Sequence, residues 1–79
     1  MGVRKSLRSA SQKQLQEALR SARREAGLTQ AQVADRLRKP QSFVAKYESG
    51  ERRLDVVEFI RVARAVGQEP ARLIRLIEA

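Results

Sequence analysis

The sequence predicts an all-α domain of five helices. Apolar residues recur every three or four positions along most of the chain, which is the period of an amphipathic helix, and no segment shows the alternation of a half-buried strand. A chain of 79 residues has room for one domain with a small core. We therefore expect a flexible basic arm over residues 1–10 and a single helical domain over residues 11–79.

The first helix is expected from about Ser11 to Ala26. Either Ser9 or Ser11 can cap it, because a serine hydroxyl accepts a hydrogen bond from an unpaired backbone N–H of the first turn. Gly27 suits the end of the helix, since glycine readily adopts the left-handed backbone that follows many helices. The inner stripe would consist of Leu15, Leu19, Ala22 and Ala26.

A second, short helix is expected to begin after Thr29. Thr29 and Gln32 have the spacing of a capping box, in which each side chain bonds the backbone N–H of the other residue. Pro40 lacks a backbone N–H and restricts the residue before it, so the helix must stop before Pro40. Its apolar face would consist of Val33, Ala34 and Leu37.

The third helix begins at Pro40 or Gln41, since proline suits the first turn of a helix. Val44 and Tyr47 are three residues apart and should face inward, and Gly50 ends the helix. Two short helices joined by a tight turn are the parts of a helix-turn-helix motif. The outer face of the third helix would carry Gln41, Ser42, Ala45 and Lys46.

The fourth helix is predicted to lie at the centre of the core. Asp55 and Glu58 have the spacing of a second capping box, and Gly67 ends the helix. Its apolar residues cover more than one helical stripe, which indicates burial on several sides. They are Val56, Val57, Phe59, Ile60, Ala63 and Val66.

Large apolar residues crowd the fifth helix, which is expected from Pro70 to about Glu78. One buried face of a short terminal helix cannot hold them all, so the surplus needs a second surface. We interpret that surface as a homodimer interface; alternatively, all of these residues cover the core of their own chain. They are Leu73, Ile74, Leu76 and Ile77.

Basic residues outnumber acidic residues by 17 to 9, which gives a net charge of +8. This excess is typical of proteins that bind a polyanion, although ribosomal proteins and membrane-surface peptides share it. No apolar run approaches the roughly 18 residues of a membrane span, and no apolar stretch follows the basic N-terminus to form a signal peptide. We therefore expect a cytoplasmic protein without membrane contact.

Composition excludes several kinds of chemistry. The chain has no cysteine and no histidine, which removes zinc-finger ligation, disulfides, thiol chemistry and histidine-based catalysis. A Gly-rich phosphate loop is also absent from the sequence. We expect no enzymatic activity, no metal, no cofactor and no small-molecule ligand.

Short motifs between Leu28 and Gly50 occur at characteristic spacings. Thr-Gln opens the second helix, Val-Ala and Leu occupy its inner positions, Gln-Ser opens the third helix and Tyr-Glu-Ser-Gly closes it. In this pattern the chain resembles the Cro/cI-type (XRE-like) DNA-binding domains of phage and bacterial repressors, from about Leu15 to Leu76. The turn departs from the family pattern, because Arg38 and Lys39 replace the usual glycine and apolar residue.

The resemblance implies a lambda-repressor-like fold and a regulatory function. We expect a sequence-specific transcriptional regulator that binds double-stranded DNA as a homodimer, acting as a repressor at a palindromic operator. It would be encoded by a bacterium or phage and associated with the nucleoid. The alternative is a protein-interaction module, such as an antitoxin-like protein, which uses the same domain chiefly to bind a protein partner.

The outer face of the third helix carries side chains that can read bases. Glutamine matches the major-groove edge of adenine, and lysine matches that of guanine. Gln41, Ser42 and Lys46 share this face, and they occupy positions at which the resembling family contacts bases. Phe43 has two interpretations, since it either packs at the edge of the helix or lies against a thymine methyl group.

Other residues are expected to contact the DNA backbone, which positions the reading helix without carrying sequence information. Gln30 occupies a phosphate-contact position of the resembling family. Arg38, Lys39, Arg52 and Arg53 flank the reading helix and are the basic candidates. The arm either adds backbone or minor-groove contacts or is a solvated tail; its basic residues are Arg4, Lys5 and Arg8.

The resemblance also implies an ion pair between Arg23 and Glu48, partly buried beneath the DNA-binding surface. Such a pair fixes geometry more than it adds stability. We therefore expect these two residues to be structural.

Overall fold

The computed structural model describes residues 9–78 and confirms the predicted all-α fold. Within that range there is no strand, and no helix has the length and apolar character needed to cross a membrane. The predicted basic arm, with Arg4, Lys5 and Arg8, lies outside the described residues except for Ser9 and Ala10. The helices are α1 (Ala10–Glu25), α2 (Gln30–Leu37), α3 (Gln41–Ser49), α4 (Val56–Ala65) and α5 (Pro70–Glu78).

Three helices begin at side-chain caps. Ser9 caps α1, because its hydroxyl accepts a hydrogen bond from the Gln12 N–H at 3.2 Å, whereas Ser11 lies inside the helix. Thr29 and Asp55 each form the complete capping box that the sequence predicted. Each box pairs backbone N–H groups that would otherwise lack a partner at the helix start.

α1, α2 and α4 end in the same left-handed turn. In α1 and α4 the left-handed residue is a glycine, Gly27 (φ 73°) and Gly67 (φ 79°). In α2 it is Arg38 (φ 58°, ψ 44°), and the N–H of Lys39 donates to the Ala34 carbonyl at 3.0 Å. A left-handed residue with a side chain costs roughly 1 kcal/mol relative to glycine. The turn therefore keeps its geometry without the usual glycine.

The core joins all five helices. α2 packs against α3 and α4, α1 packs against α3 and α5, and α4 packs against α5. Leu37, Phe43 and Leu54 are partly buried around this core. Leu54 belongs to the segment between α3 and α4, so this segment folds back over the core. The buried apolar residues are Leu19, Ala22, Val33, Ala34, Val44, Tyr47, Phe59, Val62, Ala63, Val66 and Leu73.

α4 is less buried than its sequence predicted. Val56 and Val57 are 73% and 60% exposed, and Ile60 is 38% exposed. The buried face follows one helical stripe, because only that side of α4 meets α2 and α5. This stripe consists of Phe59, Val62, Ala63 and Val66. The expectation that Val56, Val57 and Ile60 belong to the core was wrong.

α1 differs from its predicted stripe at two positions. Ala26 lies beyond the last helical residue and is exposed. Gln16 is only 7% exposed, although it is polar. Its amide Nε2 donates to the backbone carbonyl of Glu48 at 3.2 Å, which replaces a hydrogen bond to water. Tertiary hydrogen bonding therefore overrides hydrophobicity at this position.

α5 divides its large apolar residues between the core and the surface. Leu73 is 3% exposed and belongs to the core of its own chain, which corrects its assignment to a dimer interface. Ile74 and Leu76 are 42% and 55% exposed, and Ile77 is partly buried. A surplus apolar surface therefore exists, but it is smaller than the sequence predicted.

Candidate nucleic-acid interface

The turn at residues 38–40 sets the direction of α3. Pro40 is the N-cap residue of α3, with extended backbone (φ −68°, ψ 155°), and its carbonyl accepts a hydrogen bond from the Phe43 N–H at 3.0 Å. The inner side of α3 is held by Val44 and Tyr47, which are 0% and 2% exposed. The opposite side, with Gln41, Ser42 and Lys46, is exposed.

Arg23 and Glu48 form a two-point ion pair beneath α3. Arg23 Nε donates to Glu48 Oε2 at 2.7 Å, and Arg23 Nη2 donates to Glu48 Oε1 at 3.1 Å. The third nitrogen of the guanidinium, Nη1, donates to the Leu28 carbonyl at 3.0 Å. The side chains are 12% and 1% exposed. The structure thus places the two residues together, and they link α1 to the end of α3.

Glu48 remains charged although it is buried. Burial alone would raise the pKa of its carboxyl group, but the hydrogen bonds from Arg23 and Gln30 outweigh burial and lower it below the usual value of 4.5. The hydrogen bond to Glu48 likewise raises the pKa of Arg23. Arg20 adds a longer contact, with its Nε 3.7 Å from Glu48 Oε1. Glu48 therefore organises several polar groups from α1 and α2.

Sequence reasoning missed Gln16 and Arg20 as members of this cluster. Besides the amide of Gln16, Nη2 of Arg20 donates to the Glu48 carbonyl, at 3.3 Å. The signal was available in their spacing, because Gln16, Arg20 and Arg23 are four and three residues apart and so share one helical face.

A chain of hydrogen bonds connects Glu48 to the outer face of α3. Gln30 Nε2 donates to Glu48 Oε1 at 3.0 Å, and Gln41 Nε2 donates to Gln30 Oε1 at 3.4 Å. A carboxylate only accepts hydrogen bonds, so it draws the NH₂ group of Gln30 inward. The amide oxygen of Gln30 is then turned towards Gln41. The charge of Glu48 thereby orients two successive amides.

Phe43 is partly buried and packs against the core at the edge of α3. Its ring meets that of Tyr47 edge to face, with 5.6 Å between the centroids. Two cations lie against the same ring, since Lys39 Nζ is 5.5 Å and Arg52 Cζ is 4.8 Å from its centroid. These contacts are favourable cation–π arrangements. They hold Lys39, which precedes α3, and Arg52, which follows it, against the Phe43 ring of the helix.

Arg52 is bound by α4. Its Nη1 and Nη2 donate to Glu58 Oε1 and Oε2 at 2.9 Å and 2.8 Å, and Nη1 also donates to the Arg53 carbonyl at 2.9 Å. The hydrogen bonds from Arg52, together with the backbone N–H of Asp55, lower the pKa of Glu58 to about 2. Arg52 therefore holds the loop between α3 and α4 against α4. Arg38 and Lys39, which precede α3, and Arg53, which follows it, are exposed.

Comparison with known proteins agrees with this geometry. The helix-turn-helix family model HTH_3 matches residues 19–73. A solved structure described as an XRE-family like protein from Pseudomonas syringae pv. tomato str. DC3000 is 46% identical, with a TM-score of 0.84 over 87% of this chain and 84% of that chain. Among curated proteins, none matches the chain. The resemblance inferred from the sequence is confirmed: the chain belongs to the XRE family of helix-turn-helix proteins, a family of DNA-binding transcription regulators.

Proposed function

We propose that the chain is a sequence-specific regulator that reads double-stranded DNA with α3 in the major groove. The observation that carries this proposal is the division of α3 into two faces. Val44 and Tyr47 fix its inner face in the core, while the outer face presents an amide, a hydroxyl and an ammonium group to solvent. These groups match the donor and acceptor pattern of base edges in the major groove.

Gln41 and Lys46 are the proposed base readers, with Ser42 beside them. Glutamine forms two hydrogen bonds with adenine, and lysine donates to the acceptors of guanine. Gln30 would act as a positioning residue, because its amide oxygen accepts a hydrogen bond from one N–H of the Gln41 side chain. The amide oxygen and the other N–H of Gln41 remain for a base. We assign Phe43 to packing, with any thymine contact limited to the ring edge that remains exposed.

Arg38, Lys39 and Arg53 are the proposed phosphate contacts, together with the α2 N-terminus at Gln30. Basic side chains and helix N-termini commonly bind phosphate oxygens. Arg52 would contribute less, because two of its nitrogens already bind Glu58. These contacts would set the register of α3 without choosing between base pairs.

We further propose a homodimer that represses transcription from a palindromic operator. The apolar surface at Ile74, Leu76 and Ile77 supports the dimer, since two copies could cover it in a two-fold contact. Two reading helices would then lie one DNA turn apart, roughly 34 Å. The repressor assignment rests on the likeness to Cro/cI-type domains.

Selection of bound duplexes from a random pool, followed by titration at several salt concentrations, tests the proposed function. We expect one enriched sequence with two-fold symmetry, and an affinity that falls steeply as salt rises because bound phosphates release counterions. A pool without enrichment would reject sequence-specific reading, and an affinity that is flat with salt would reject the phosphate contacts.

A further inference from the structure

Four arginines surround one groove between the end of α2 and the second half of α4. Its floor contains Leu37 and Ala65. One arginine is anchored there, because Nη1 of Arg36 donates to the Ala65 carbonyl at 2.9 Å. All four arginines are exposed. We call this surface the four-arginine groove; its basic residues are Arg36, Arg38, Arg61 and Arg64.

The four-arginine groove lacks a counter-charge. No carboxylate lines the groove itself. Asp35 lines a neighbouring depression together with Arg36, and Asp55 and Glu58 line another together with Arg61, so the carboxylates lie on the far sides of these two arginines. None of the ion pairs among the side chains of residues 9–77 involves Arg38, Arg61 or Arg64. Four like charges around one groove repel one another and attract anions.

The backbone at Arg38 provides a second, independent observation. Arg38 is the only residue other than glycine with positive φ among the described residues. Glycine would hold this conformation with less strain, as Gly27 and Gly67 do at the ends of α1 and α4. An arginine at this strained position brings a guanidinium group to the groove, which glycine could not supply.

We propose that the four-arginine groove binds backbone phosphates of the same duplex, outside the base pairs that α3 reads. Arg38 precedes Gln41 by three residues, so the groove starts at the N-terminal end of the reading helix and continues along α4. A duplex held by α3 presents regularly spaced phosphates nearby, and the guanidinium fork matches phosphate oxygens. This inference rests on the proposed function and extends the contact surface beyond it.

The test compares two double variants on duplexes of two lengths. Arg61→Ala with Arg64→Ala removes two arginines of the groove, and Arg72→Ala with Arg75→Ala removes two exposed arginines from α5, so the change in net charge is the same. One duplex contains only the selected site, and the other adds about one helical turn of 10 base pairs on each side. Thermal melts of both variants establish that each is folded.

We expect the groove variant to change binding only on the long duplex. The slope of log affinity against log salt should become shallower by about 0.9 for each phosphate that the variant no longer neutralises, and therefore by up to about 1.8 for two phosphates. Its slope on the short duplex should equal that of the wild type. The α5 variant should keep the wild-type slope on both duplexes.

Four outcomes would overturn the inference. Equal effects of the two double variants would mean that only overall charge matters. A groove variant that matches the wild type on both duplexes would show that the groove does not bind flanking DNA. If the groove variant instead loses binding to poly-glutamate, the occupant is an acidic protein segment. Failure of the wild type to bind even the short duplex would reject the proposed function itself, and the inference with it.

Discussion

Arg23 and Glu48 are 25 residues apart in the sequence, yet their side chains meet at 2.7 Å beneath the exposed face of α3. The same carboxylate accepts a hydrogen bond from Gln30, which in turn accepts one from Gln41. A single buried charge therefore links the scaffold helix α1 to the amide proposed to read a base. The geometry of the proposed reading face therefore depends on Glu48, whose side chain is only 1% exposed.

Replacing Glu48 with alanine should strongly destabilise the protein. The substitution leaves the largely buried Arg23 without its partner, and breaking a buried ion pair in this way costs about 3–5 kcal/mol. Urea unfolding measures the free energy of unfolding. Glu17→Ala is the matched control, because Glu17 is 70% exposed and its oxygen is 3.8 Å from Arg20, so its loss should cost at most about 1 kcal/mol. Equal effects of the two substitutions would contradict this assignment.

Arg38→Gly should stabilise the free protein by about 1 kcal/mol, since glycine adopts the left-handed backbone at φ 58° without strain. Gly67→Ala tests the same principle in reverse. A Cβ at Gly67 would meet no atom within 4 Å, so any loss of stability must come from the backbone conformation at φ 79°. In thermal melts, the melting temperature of Arg38→Gly should therefore rise and that of Gly67→Ala should fall. A shift of the same sign in both variants would show that other contacts decide the stability of these turns.

The pair formed by Arg52 and Glu58 should make stability depend on pH. The pKa of Glu58 is lowered from 4.5 to about 2. The ionised carboxylate therefore contributes fully to the free energy of unfolding above pH 4.5, and this contribution is lost as the pH falls towards 2. Glu58→Gln retains an oxygen for the capping hydrogen bond but loses this titration. The difference in unfolding free energy between wild type and variant should be constant from pH 7 to 5 and shrink from pH 4.5 to 2. Parallel curves across that range would disprove the assignment.

Base readers and phosphate contacts should respond differently to truncation. Gln41→Ala and Lys46→Ala should each cost about 1–3 kcal/mol on the selected sequence and little on random DNA. Arg53→Ala should weaken binding to both kinds of DNA alike, because a phosphate contact is independent of sequence. Fluorescence anisotropy with the two duplexes measures both effects. If all three variants lose the same affinity on both duplexes, the division into two kinds of contact is wrong.

The proposed dimer can be tested at the surface of α5. Ile74→Asp should convert the dimer to a monomer, because it places a charge in an apolar contact, and Ile74 is exposed enough (42%) for the chain to remain folded. Val56→Asp is the control, since Val56 is an exposed apolar residue on another helix. Light scattering gives the mass of each variant. If only Val56→Asp dissociates the dimer, the interface lies on α4 instead of α5. If the wild type is monomeric at high concentration, the proposed dimer is rejected.

The sequence by itself determined the number and order of the helices, and it placed the ends of α1 to within one residue. Caps at Thr29 and Asp55, the break at Pro40 and the left-handed glycines all act through neighbours within a few residues, so their effect is readable from local spacing. The amphipathic division of α3 was readable for the same reason. It predicted which side chains are exposed, and their contacts with DNA stay a proposal.

Only the tertiary structure decided which groups meet. Val56, Val57 and Ile60 are exposed because none of the other described helices covers that side of α4, and the pattern of one helix does not show where its neighbours lie. Gln16 is buried because it bonds a carbonyl 32 residues away, a contact that requires the packed arrangement of α1 and α3. Burial and polar pairing depend on distances across the fold, and local sequence patterns do not contain those distances.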